Sequence, residues 1–214
     1  MLNAKNAVRW YQVRRISFIL TVLSTLTLII GWLAQSSITT WIGGYELSAS
    51  FVLVGLTFNF ASATDMKILE TWELLGCKPR DFPQTAEERE ALIPWAKQFL
   101  ASRARDANRA FASRDRYRDI ISRKMQDVRV NNPPDLKQMR KVIHDAERLR
   151  ENSDWGANHH QKEFLRAWDF FTKSEDNDGI YLLHGTEFSN PNVFRRQIAD
   201  LDAIEMKNLE ADGL

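Results

Sequence analysis

The chain has 214 residues, of which 29 are Lys or Arg and 28 Asp or Glu, with 44% apolar and 27% charged residues, proportions ordinary for a globular protein. A single cysteine excludes a disulfide framework and a cysteine-based zinc or iron–sulfur centre. Nine glycines and six prolines exclude collagen-like and Pro/Gly-rich disordered chains, and a net charge of +1 gives no reason to expect a nucleic-acid binder.

Residues 1–15 carry Lys5, Arg9, Arg14 and Arg15 without an acid and predict a basic cytoplasmic tail. Residues 16–34 contain no charge. As a helix they would reach about 28 Å, close to the roughly 30 Å of a bilayer's hydrocarbon core. Trp10, Tyr11 and Trp32 stand near the two ends, where amphipathic rings favour the membrane interface. The competing readings are a buried core helix and a cleaved signal peptide. A signal peptide has an apolar run of only about 7–15 residues, and Leu33-Ala34-Gln35 makes a poor cleavage site, so a retained transmembrane helix is expected.

A second uncharged run, 47–63, is shorter and more polar. The stretch 36–46 between the runs lacks Lys and Arg, whereas the chain after residue 64 is dense in both charges. Basic flanks around a cation-free middle predict a transmembrane hairpin over 16–63 with both termini cytoplasmic, which in a bacterium would place it in the inner membrane. The turn is expected at Gly43-Gly44, beside Trp41 and Tyr45. The alternative is one span with everything after it on the far side.

Small or hydroxylated residues recur at helical spacing in both runs: Ser17, Thr21 and Ser24 in the first, Ser48, Gly55, Asn59 and Ser62 in the second. Helices in lipid associate through such residues, so Ser17, Thr21, Ser24, Gly55 and Asn59 are the expected helix-packing positions. A sharper reading makes them an oligomer interface or a polar path. Neither run holds a charge, which leaves a proton relay unsupported.

Residues 64–84 read as a juxtamembrane amphipathic helix and a loop. Ile68, Leu69, Trp72 and Leu75 share one face, and Gly76 stops the helix. Cys77 reads as an ordinary thiol, since the acids before it and its distance from the N-terminus do not suit lipoprotein processing. Residues 85–131 form a long charged helix opened by a Thr85…Glu88 capping box, with Pro94 expected to kink or restart it. Its seam of Ile93, Ala96, Leu100, Ala104, Ala107 and Phe111 suits antiparallel helix packing or a short coiled coil.

Residues 132–214 read as a small helical domain with an acidic C-terminal tract. An amphipathic helix over 135–151 is expected to break at Asn152-Ser153-Asp154, and a second, to about residue 173, places Phe164, Leu165, Trp168 and Phe171 together. The run 179–183 suits one short strand or a buried extended piece. Asn190-Pro191 caps a last helix bearing Phe194, Ile198, Leu201, Ile204 and Leu209.

Charge is unevenly placed. Residues 97–129 hold ten cations and four acids, and residues 173–214 hold four cations and nine acids, so the net of +1 is a near-cancellation of +6 and −5. The basic tract admits three readings: a solvated helix with internal pairs such as Asp115–Arg118 and Asp119–Arg123, docking on an acidic surface, or binding of anionic lipid or nucleic acid. Interleaved acids repel phosphates and make nucleic acid the least expected partner. Docking on the acidic tract or an acidic partner would use Arg103, Arg105, Arg109, Arg114, Arg116 and Arg118.

Chemistry finds little support. Aligning Gly179 with the sharp-turn glycine of a calcium loop puts Gly185 where the bidentate acid belongs. His159 and Glu163 share a helix face without a recognisable third ligand, and His184 has no nucleophile signature around it. No phosphate-cradling glycine loop occurs. No catalytic, cofactor or metal residue is therefore expected. An enzymatic alternative would have to rest on His159, His160, Glu163 and His184.

The expected fold is a membrane-anchored, mainly α chain: a two-helix hairpin, a long helix, and a small helical cytoplasmic domain with at most one short strand. The expected function is non-enzymatic binding of partner proteins by that domain, as scaffold, adaptor or complex subunit, with a homo-oligomer as a further option. The alternative is an oligomeric pore-forming or membrane-permeabilising effector triggered through the cytoplasmic domain.

Overall fold

A computed structural model describes residues 4–60, 62–131 and 136–211. Those residues are all-helical, with no strand among them. The α-helices are α1 (Ala4–Leu33), α2 (Ser37–Phe60), α3 (Ala63–Leu74), α4 (Ala86–Asn131), α5 (Leu136–Thr172) and α6 (Pro191–Ala211). Three single 3-10 turns lie at Pro79–Asp81, Glu175–Asn177 and Thr186–Phe188. The chain divides into two compact units, one of Met1–Leu92 with Lys173–Tyr181 and one of Ile93–Thr172 with Leu182–Leu214.

The first unit is built on the α1–α2 pair. Helix α1 takes in most of the basic stretch rather than leaving it as a tail, because no breaker separates it from the apolar run. The reversal falls at Ala34–Ser36, not at Gly43-Gly44. Gln35 adopts the left-handed conformation (φ 53°), and the Ser36 amide donates to the Gly31 carbonyl at 2.9 Å. The two glycines lie inside α2, where Gly43 supplies close approach to α1 instead of a turn. The pair is antiparallel in constant register: Thr21 meets Ser50, Leu28 meets Gly43 and Gly31 meets Thr40. Among the described residues one stretch, Asn6–Leu33, is long and apolar enough to cross a membrane. Helix α2 carries Glu46 and two glycines within its length.

Helix α3 starts where Ser62 Oγ accepts a hydrogen bond from the Asp65 amide at 3.0 Å and ends at Gly76 (φ 89°). Met66, Ile68, Leu69 and Trp72 are buried on one face. Trp72 meets the Phe82 ring edge-on at 5.5 Å and donates from Nε1 to the Lys78 carbonyl at 3.0 Å. The returning segment joins this unit through Lys67–Asp178 at 3.2 Å and Arg89–Glu175 at 2.7 Å.

The capping box forms at the start of α4. The Glu88 amide donates to Thr85 Oγ1 at 3.2 Å, while the Thr85 and Gln84 amides donate to Glu88 Oε2 at 3.2 and 2.6 Å. Helix α4 continues through Pro94.

In the second unit α4 and α5 run antiparallel, with Trp95 and Phe99 near Phe171 at one end and Arg118 near Asp154 towards the other. Alanine makes the seam narrow: Ala96, Leu100, Ala104 and Ala107 are fully buried, as are Ala157, Phe164, Ala167 and Phe171 opposite. Helix α6 begins with the Asn192 amide donating to Asn190 Oδ1 at 2.9 Å, and packs Phe194 and Ile198 inward. Leu201 and Ile204, expected on the same apolar face, are exposed instead, because the core beneath α6 ends at Ile198.

Helix α5 does not break at Asn152-Ser153-Asp154. Ser153 Oγ bonds the Arg150 carbonyl at 2.9 Å and Asp154 pairs with Arg118 at 2.6 Å, so side chains suited to a cap are engaged elsewhere and the backbone stays helical. Residues 179–183 form the extended alternative rather than a strand. Ile180, Leu182 and Leu183 are buried, and the Leu183 amide donates to the Phe171 carbonyl at 2.9 Å.

Candidate functional site

Two surfaces stand out, one on each unit. On the first, the α1–α2 pair is packed inside out. Ser17, Ser24, Ser50 and Thr57 are buried, while Ile16, Phe18, Ile19, Val22, Leu23 and Ile30 of α1 and Phe51 and Val52 of α2 face outward. The buried hydroxyls are satisfied within the pair. Ser17 Oγ and Ser24 Oγ donate to the carbonyls of Val13 and Leu20, four residues back, at 2.8 and 2.7 Å. Thr21 Oγ1 lies 2.8 Å from the Ser17 carbonyl and 3.0 Å from Ser50 Oγ, the latter a hydrogen bond between helices. Ser50 and Thr57 donate to the carbonyls of Leu47 and Val54 at 2.8 and 2.6 Å.

Ser17, Thr21 and Ser24 therefore sit together at the α1–α2 contact. Gly55 does not: the space where its Cβ would stand is open to 4 Å. The side chain of Asn59 lies outside the described residues. Contributors absent from the expected set include Ser50, Thr57, Gly31 and Gly43. A Cβ on Gly31 would meet the Thr40 backbone nitrogen at 2.8 Å, and one on Gly43 the Leu28 nitrogen at 3.0 Å. Helix period places Gly43, Ser50 and Thr57 on one side of α2 and Ser48 and Gly55 on another. That two-stripe pattern is the signal that could have found them.

Where α1 meets α3, Tyr11 Oη hydrogen-bonds Glu73 Oε2, Arg15 pairs with Glu73 Oε1 at 2.7 Å and Arg14 with Glu70 at 3.0 Å. The first cations before the apolar run are thus held by acids that follow α2.

On the second unit the six singled-out arginines separate into two groups. Arg105 pairs with Asp202 at 2.8 Å, and Lys97 pairs with Glu187 at 2.8 Å, so the basic tract reaches the acidic one twice. Arg118 turns to Asp154 at 2.6 Å instead of to Asp115, and Asp115 bonds Arg114 at 2.8 Å. The helix-internal pair Asp115–Arg118 is thus replaced by a bridge to α5, a nearer carboxylate once the helices pack. Arg103 lies over Phe99 at 5.1 Å, and Arg114 and Arg195 lie over Phe111 at 4.6 and 4.7 Å. Arg195 also donates to Gln161, while Asn108 donates to the Arg195 carbonyl at 3.0 Å. Burial, helped by the guanidiniums of Arg196 and Arg114, lowers the pKa of Arg195 from the ordinary arginine value. Arg109 and Arg116 remain exposed, with no ion pair among the described residues.

His159 stacks on the exposed Trp155 at 5.2 Å, His160 meets His159 edge-on at 5.5 Å, and Glu163 pairs with Arg166 at 3.2 Å. Among the described residues no three His, Cys, Asp or Glu side chains converge as metal ligands would. No protein-family model, no curated protein and no solved structure matches the chain.

Proposed function

We propose that the chain is an integral membrane protein in which α1 and α2 form a transmembrane hairpin with both ends cytoplasmic, and the second unit is a non-enzymatic domain that binds partner proteins. The inverted packing of α1 and α2 carries this reading. Nine large apolar side chains between Ile16 and Ile30 are exposed, and only 17% of the apolar window of α1 is buried. In water each would forgo on the order of 1 kcal/mol of burial, roughly 10 kcal/mol together, comparable with the entire 5–15 kcal/mol stability of a domain. In hydrocarbon the same exposure costs nothing, and small hydroxylated residues are what brings helices together there. A soluble core helix would be mostly buried. A cleaved leader would not be tied by Arg14, Arg15 and Tyr11 to Glu70 and Glu73 of the mature chain.

The partner-binding residues in this reading are drawn from the exposed Arg109 and Arg116 of α4 and the exposed apolar Trp155 of α5 and Leu201, Ile204 and Met206 of α6. Reporter fusions after Ser36 and after Leu214 test the topology. A reporter that reads outside at the first site and cytoplasmic at the second is expected, and both on the same side overturns the hairpin. For the domain, mild-detergent purification of the full chain should retain a partner that the double variant Arg109→Glu, Arg116→Glu loses. Recovery of a bare monomer from the native host overturns partner binding. A collapse of membrane potential on expression would replace the partner-binding reading with a pore.

A further inference from the structure

At the end of the hairpin where α1 meets α3, two cavities flank Tyr11 and Arg15. One, of about 240 Å³, is bordered by Gln12, Arg15, Lys78 and Arg80. The other, of about 430 Å³, has Arg14 and Arg15 at its rim and Phe18, Ile19 and Val54 along its wall, with Glu70 beside them. The acids nearby are already engaged: Glu73 by Arg15 and Tyr11, Glu70 by Arg14. Arg15 bonds Glu73 through one nitrogen and stays 59% exposed, leaving other guanidinium N–H groups to donate. Arg80 reaches only its neighbour Asp81, at 3.5 Å, and Lys78 is exposed with no carboxylate at ion-pair distance among the described residues. Three cations therefore converge on a space suited to a phosphate, directly beside the start of the outward-facing apolar side chains.

We propose that Arg15, Lys78 and Arg80 hold the phosphate of an anionic phospholipid whose acyl chain lies along Phe18, Ile19 and Val54. The site rests on the reading of α1 and α2 as a transmembrane hairpin, which puts these cations at the headgroup level of the cytoplasmic leaflet. Juxtamembrane cations attract anionic lipid, and three convergent donors select it over a zwitterionic headgroup, whose own cation they repel. The apolar wall distinguishes a lipid from a soluble phosphate, which would fill the smaller cavity alone.

The test presents the full chain in detergent micelles with phosphatidylglycerol and phosphatidylcholine in equal parts and counts retained lipid by native mass spectrometry. Wild type should retain phosphatidylglycerol in preference by about tenfold or more, from roughly fivefold per surface cation. The double variant Lys78→Gln, Arg80→Gln should lose that preference, while Arg109→Gln, Arg116→Gln, on the second unit, should keep it. Arg15 is left intact because it braces Glu73. Equal retention of the two lipids by wild type, an unchanged preference in the Lys78, Arg80 variant, or full displacement of the lipid by inorganic phosphate overturns the site. Flotation with phosphatidylcholine vesicles separates the levels. Failure of wild type to float overturns the hairpin reading beneath the proposal, whereas flotation without phosphatidylglycerol preference overturns the headgroup site alone.

Discussion

Gly43 packs so tightly on Leu28 that a Cβ there would stand 2.9 Å from Leu28 Cγ and 3.0 Å from its backbone nitrogen. A backbone neighbour cannot swing aside as a flexible side chain can, so any larger residue must push α1 and α2 apart. Gly43→Leu is expected to cost about 1–3 kcal/mol of helix pairing, the usual range for overpacking. In a Cys77→Ser background, cysteines introduced at Thr21 and Ser50 should cross-link readily and should cease to do so once Gly43→Leu is added. Gly44→Leu is the control. The space beside Gly44 is open, and cross-linking there should persist.

Phe111 lies between two guanidiniums, Arg114 at 4.6 Å and Arg195 at 4.7 Å from its ring centre. Each such contact contributes about 0.5–1 kcal/mol at partly exposed sites and more when desolvated. Phe111→Leu keeps the apolar volume and removes the ring face, so a loss of about 1–2 kcal/mol is expected in chemical denaturation. Arg195→Gln should cost less in the Phe111→Leu background than in wild type. Equal costs in both backgrounds would show that Arg195 is held by Gln161 and its packing alone.

The elements that rest on local chemistry were legible in the sequence. Thr85 with Glu88 and Asn190 with Pro191 each mark a helix start through side-chain hydrogen bonds that need no tertiary partner. The features that escaped depend on a neighbour. Helix α2 offers two small-residue stripes of equal spacing, Gly43 with Ser50 and Thr57, and Ser48 with Gly55; composition cannot say which one α1 will meet. Gly43-Gly44 reads as a turn because glycine permits positive φ, yet Gln35 takes that conformation and Gly43 serves close approach. Asn152-Ser153-Asp154 reads as a break until Arg118 on a facing helix supplies Asp154 with a partner. The Arg-rich tract likewise divides only once α5 and α6 decide which carboxylates come within reach.

Pro94 sits at an exposed position inside α4, where its ring removes the amide that would bond the Glu90 carbonyl. Proline in an exposed helix interior costs about 3 kcal/mol relative to alanine, less wherever the surroundings have adapted to it. Pro94→Ala is therefore expected to raise stability by about 1–3 kcal/mol, read as a higher denaturation midpoint at unchanged slope. A lower midpoint would mean that proline at this position is needed for Trp95 and Phe99 to reach Phe171.

Phe171 is fully buried and touches Trp95, Phe99 and Phe170, with ring centres at 5.8, 5.9 and 5.3 Å. Because the rest of the α4–α5 seam is largely alanine, few other large side chains there can close over a void. Phe171→Ala is expected to cost about 3–5 kcal/mol, and Phe171→Leu about half as much. Alanine at the exposed Trp155 removes a larger side chain, yet its loss should stay within about 0.5–1 kcal/mol, since only the stacking on His159 disappears. The ordering decides between two accounts of the second unit. If Trp155→Ala proves the more damaging in the isolated full chain, the unit is held by its surface aromatics. If Phe171→Ala does, the aromatic cluster at the α4–α5 end is the core, and Trp155 is left available to a partner.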